Sequence, residues 1–115
     1  MKVEDRYPRF HGYGKVNHAA GSIELLEASQ ADLYVWIDTI NLSVYKAAEG
    51  AGMCEIKDTN GKSLFITSVE GVKDLALDFG MGIKVDRDVG IMAVVSGGEI
   101  QGSVFVVITG HYSGR

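Results

Sequence analysis

Leu33-Tyr34-Val35-Trp36-Ile37-Asp38-Thr39-Ile40-Asn41-Leu42-Ser43-Val44-Tyr45 reads as extended chain, rich in β-branched and aromatic residues. Leu33, Val35 and Ile37 keep one parity, and Ile40, Leu42 and Val44 keep the other. The phase therefore slips once, at Asp38-Thr39. Such a slip marks a β-bulge or a bend, and a strand that changes sheet at a corner would carry the same mark. Asp38 is accordingly read as a bulge residue rather than an acid catalyst.

The β signal extends in both directions from this run. Ser22–Leu26 opens a strand, although Ser22–Ala28 also suits a helical turn or two. Met53–Asp58 turns Cys54 and Ile56 inward and Glu55 and Lys57 outward. Asp58-Thr59-Asn60-Gly61-Lys62 supplies Asn-Gly, a strong hairpin signal because both residues tolerate positive φ, and Ser63–Ser68 returns. Val72–Phe79 leads into a Gly80-Met81-Gly82 turn and Ile83–Val85. Gly90–Ser96, a Gly97-Gly98 turn and Gln101–Thr109 complete the series. About eight short strands with no long amphipathic helix between them predict an all-β chain. The expected fold is an antiparallel β-sandwich, jelly-roll-like, over residues 19–115.

The 115 residues are 46% hydrophobic and 23% charged, which excludes disorder through lack of apolar content. The net charge of −4 argues against nucleic acid as a partner. No apolar run approaches the ~18 residues of a membrane span, and the polar, acidic Met1–Arg6 does not read as a secretory signal. Charge is uneven, at +2 over residues 1–18 and −6 over the rest. The opening segment holds the single Pro (Pro8), Gly12 and Gly14, and has no apolar period of either 2 or 3.6. It reads as an extended N-terminal arm, 1–18, outside the core. Its Arg6, Tyr7, Arg9, Phe10, Tyr13 and Lys15 are the expected partner-binding residues, since spaced aromatics and arginines suit interface anchors.

Two strands break the alternation of a two-layered sandwich. Leu33–Ile37 and Val104–Ile108 are apolar or aromatic at every position, yet a sandwich has nothing to cover both faces of a strand. Leaving Trp36 or Phe105 exposed would forfeit roughly 2–3 kcal/mol each. Packing of copies against one another is the expected resolution, with Tyr34, Trp36, Phe105 and Val107 as the oligomer interface; a tightly closed barrel, cover from the N-terminal arm or an elongated core at a strand crossover would also resolve it.

Chemistry-bearing motifs are sparse. His11, His18 and His111 lack a partner at metal-ligand spacing, and Cys54 stands alone, so no metal or cofactor is expected. Asp86-Arg87-Asp88 reads as a solvated turn rather than part of a calcium loop. Gly12-Tyr13-Gly14-Lys15 neither follows a strand nor opens a helix, as a phosphate cradle requires. The Asn41-Leu42-Ser43 sequon lies within an expected strand. No paired carboxylates or nucleophile with base emerge, so the chain is expected not to be an enzyme; a cupin-like reading lacks its His/Glu cluster.

Leu33–Ser43, Met53–Leu64, Leu75–Val85 and Gly102–Tyr112, in that order, resemble small jelly-roll structural proteins of tailed bacteriophages, among them head decoration (cement) and fibre-type proteins. The resemblance covers residues 22–112 and rests on strand order. It implies a virion protein made in the host cytoplasm, bound outside the capsid to the major capsid protein as a homo-oligomer, a trimer or a dimer with the trimer as the expected form. Deleting residues 2–18 should then abolish incorporation and leave the β fold intact. The alternative is a receptor- or glycan-binding fibre or lectin-like module in which Tyr34, Trp36 or Tyr112 stacks on sugar rings.

Overall fold

The computed structural model describes residues 9–16, 21–29, 31–45, 52–69, 74–96 and 103–114. They form eight strands and no helix: β1 Arg9–Val16, β2 Gly21–Leu26, β3 Tyr34–Tyr45, β4 Met53–Asp58, β5 Ser63–Ser68, β6 Asp74–Arg87, β7 Ile91–Ser96 and β8 Ser103–Ser113. Sheet A has the order β1-β8-β3-β6 and sheet B the order β2-β7-β4-β5. β1 pairs antiparallel with β8, β2 with β7, β3 with β6 and β4 with β5. That is one long hairpin folded over on itself, the winding of a jelly roll. The expected all-β, antiparallel sandwich is the fold observed.

Alternation fills the space between the sheets. Val35, Ile37, Ile40, Leu42 and Val44 of β3 and Val104, Val106 and Ile108 of β8 meet Cys54, Ile56, Ile91, Ala93 and Val95 of sheet B, all buried. β-Branched side chains dominate because they suit a pleated surface and lose little rotamer freedom there. The phase slip in β3 is a bulge: its register with both β6 and β8 shifts between Ile37 and Thr39. β3 stays in sheet A along its whole length, so the corner crossing does not occur.

Two expectations need correction. Gly80-Met81-Gly82 does not reverse the chain, because β6 continues through it as one strand. Ile37 faces Ile83 and Thr39 faces Asp78, so the residues between leave the ladder as an excursion opposite Asp38. Gly80 and Gly82 take φ of 64° and 95°, which glycine adopts without a Cβ penalty. Met81 stands at the tip, 90% exposed.

The second correction concerns the arm. Arg9–Val16 is not outside the core but forms an edge strand of sheet A, paired with β8 from Arg9↔His111 to Val16↔Val104. Residues 1–8, 17 and 18, including Arg6, Tyr7 and His18, lie outside the described residues. Gly12, Gly14 and Val16 are buried, while Arg9, His11, Tyr13 and Lys15 are exposed. A Cβ on Gly12 would strike the Leu25 backbone carbonyl, and one on Gly14 would lie 2.8 Å from the Ile23 side chain. Glycine thus lets the sheets close at the β1–β2 edge. Phe10, expected to bind a partner, is partly buried and packs against the core, its ring 5.3 Å from that of Tyr112. Deleting residues 2–18 would therefore remove a strand. Phe10→Ala is expected to cost about 2–3 kcal/mol, read as a lower denaturant midpoint.

The β4–β5 hairpin forms where Asn-Gly places it. Of the pair only Gly61 takes positive φ, giving a three-residue loop closed by Asp58 N–H to Lys62 O (3.0 Å) and Gly61 N–H to Asp58 O (3.1 Å). The buried Asp58 carboxylate accepts the Asn60 and Lys62 N–H groups, both at 2.9 Å.

Candidate functional site

The outer face of sheet A gathers most of the residues singled out from sequence. Three rows cross it from β1 to β6: Lys15–Phe105–Ser43–Asp74, Tyr13–Val107–Asn41–Ala76 and His11–Thr109–Thr39–Asp78. Directly opposed residues of antiparallel strands point to the same face, so each row presents one stripe outward. Phe105 is 43% and Tyr13 73% exposed. The Lys15 ammonium lies 5.3 Å from the centre of the Phe105 ring and covers part of it. Ser43 donates to Asp74 Oδ1 at 2.9 Å, and the Thr39 and Thr109 hydroxyls hydrogen-bond to each other.

Beyond the bulge the same face changes character. Trp36 stacks on His111, with ring centres 5.6 Å apart and planes 12° from parallel, and its Nε1–H donates to Ser113 Oγ at 2.8 Å. The Lys84 ammonium sits 4.1 Å from the Tyr34 ring centre and 5.7 Å from that of Trp36, and Arg87 caps Tyr34 at 4.6 Å. Tyr34 and then Asp32, 3.0 Å from Arg87, hold the guanidinium above its usual range. His111 Nδ1 lies 3.0 Å from both Asp38 carboxylate oxygens. Tyr34 and Trp36 thus obtain their cover within the chain, from long cations and a histidine ring. The four expected interface residues divide accordingly: Phe105, partly covered by Lys15, and Val107 lie in the three rows, and Tyr34 and Trp36 in the self-covered end.

Charge runs across the three rows. In them β1 presents His11 and Lys15 and contains no acid, while Asp74 and Asp78 mark the β6 edge. Nothing in the local sequence marks these acids, because their meaning comes from the β6–β3–β8–β1 order. Ile91–Val95 is a third strand apolar at every position that sequence reasoning missed, with Met92 and Val94 half-buried on the outer side of sheet B.

The remaining chemical candidates are dispersed. Among the described residues no three His, Cys, Asp or Glu side chains converge on a metal position. Asp88 ties the end of β6 to the start of β3, its N–H donating to Leu33 O at 3.0 Å and its Oδ1 accepting Leu33 N–H at 3.3 Å. Tyr112 is half-buried beside Phe10, and burial pushes its hydroxyl up. Burial likewise pushes the Cys54 thiol up to about 11. A raised thiol pKa means the unfolded chain ionises first, so this group removes stability as pH rises from about 9 to 11. Native protein at pH 8 is expected to resist a disulfide reagent that reacts at once after unfolding; rapid native labelling would contradict the burial.

No known protein family matches the chain, and no curated protein matches it. Solved structures similar to it include a chain from Bacillus endospore appendages, described as a novel family of disulfide-linked pili. It is 13% identical, with a TM-score of 0.49, over 96% of this chain and 95% of that one. FlhE is 9% identical, with a TM-score of 0.43, over 90% of this chain and 96% of its own. Neither is a phage jelly-roll protein. At these scores no role passes from either to this chain.

Proposed function

We propose that this chain is a non-enzymatic structural subunit that works as a homo-oligomer. The observation that carries the reading is the outer face of sheet A, where Tyr13 is largely exposed and Phe105, only partly covered by Lys15, lies beside Val107. Self-association removes such a patch from water at about 25 cal/mol per Å² and leaves the sandwich itself unchanged. Decoration of a phage capsid, which the sequence resemblance implies, is a special case that adds the major capsid protein as a second partner. Imaging the native particle in which the protein occurs tests that case by itself.

The general reading is tested by mass in solution. Sedimentation equilibrium of the full chain over micromolar concentrations is expected to give a multiple of 12.4 kDa. A single copy throughout that range would refute the proposal. A glycan-binding module would give reproducible hits on a glycan array.

A further inference from the structure

The outer face of sheet A combines two independent features, a partly exposed Phe105 and Val107 in its middle and edges of opposite charge. Within the three rows β1 brings His11 and Lys15, and the first half of β6 brings Asp74 and Asp78. We infer that this face docks on the same face of a second copy, about a two-fold axis lying between the two sheets and parallel to their strands. The inference rests on the self-association proposed above and specifies its geometry.

Charge selects the axis. A two-fold along the strands exchanges the left and right edges of the sheet and preserves position along each strand. β1 of one copy then lies over β6 of the other, and every cross-sheet row lies over its own equivalent. Lys15 comes over Asp74 of the second copy, His11 over Asp78 and Tyr13 over Ala76, each pairing occurring twice. β8 lies over β3, so the two Phe105 rings fall on either side of the axis and cover each other. A two-fold running across the strands would instead lay β1 on β1 and β6 on β6, setting bases against bases and acids against acids. Such like-charge juxtaposition disfavours that docking. Twisted sheets stack about 10 Å apart at about 30°, within reach of Lys15 and Tyr13.

The overlap ends at the bulge. In the next row Arg9 would meet Lys84, which is already engaged over Tyr34 and Trp36. This geometry closes at two copies.

The test is a charge exchange read by sedimentation equilibrium on the full chain at low salt. Wild type is expected to be a dimer. Lys15→Glu places acid over acid and Asp74→Lys base over base, each twice, so each is expected to weaken association at least tenfold. The double variant Lys15→Glu/Asp74→Lys rebuilds both pairs with reversed sign and is expected to return to near wild-type association. Unchanged far-ultraviolet circular dichroism shows that each variant remains folded. Single variants that associate like wild type, a double variant as weak as either single, or a wild-type trimer would overturn this interface and leave self-association standing. A wild type that stays a single copy would overturn self-association itself.

Discussion

Gly12→Ala is expected to destabilise the protein by about 3 kcal/mol, although it adds one methyl group at an edge strand. The new Cβ would run into the backbone carbonyl of Leu25, with the Ile108 side chain 3.3 Å away. A carbonyl held in β2 cannot rotate aside as a side-chain end can. Gly12 is not among the residues with positive φ, so the effect is steric and not a matter of backbone preference. The sign is what discriminates. In a free arm the same change would leave stability within about 0.5 kcal/mol, and in an open strand alanine would gain up to about 1 kcal/mol over glycine. Gly14→Ala meets only the ends of the Ile23 side chain and is expected to cost less. Tyr13→Ala, between them and pointing into solvent, is expected to leave the denaturant midpoint nearly unchanged. If Gly12→Ala were neutral, β1 would not be docked between β8 and β2.

That strand also explains where sequence reasoning failed. The inward positions of β1 are Phe10, Gly12, Gly14 and Val16, and the outward ones Arg9, His11, Tyr13 and Lys15. A hydrophobicity count assigns glycine almost nothing and tyrosine much, so the alternation vanishes from it. Counted as glycine or purely hydrocarbon against charged, imidazole or hydroxyl-bearing, the period of two is complete. The same residue type misleads in β6, where Gly80 and Gly82 look like punctuation. They serve an excursion that leaves strand direction unchanged. The expected total of eight strands agrees with the structure because these two misreadings offset each other.

Elsewhere the residues spoke clearly. Met53–Asp58 and Ser63–Ser68 match their strands from end to end. The change of parity at Asp38 located the bulge, since buried residues on both sides constrain register tightly. The candidate site was legible only in part. Apolar saturation of Val104–Ile108 exposed the problem of Phe105 and Val107, but that of Leu33–Ile37 was solved internally by Lys84, Arg87 and His111, which are distant in sequence. Nor does local sequence reveal that Asp74 belongs in one row with Lys15, because that row exists only after β1 has joined β8. A surface defined by four strands is a property of the winding.

Gly110→Ala is expected to cost about 3–4 kcal/mol, and removing the bulkiest neighbour is not expected to rescue it. Gly110 is buried opposite Phe10 on β1 and Ile37 on β3. An added Cβ would collide with the Phe10 ring and with the Trp36 carbonyl. The ring can turn away; the carbonyl cannot do so cheaply. Trp36 lies between two register shifts of the β3–β6 ladder, and its indole is fixed by stacking on His111 and by its hydrogen bond to Ser113. Moving the carbonyl drags that assembly with it. Phe10→Ala/Gly110→Ala is therefore expected to remain well below Phe10→Ala alone in denaturant midpoint, and tryptophan emission should shift in both variants that carry Gly110→Ala. Should the double variant match Phe10→Ala, with emission unchanged, the ring would be the sole obstacle and β3 would yield at the bulge more readily than its contacts indicate.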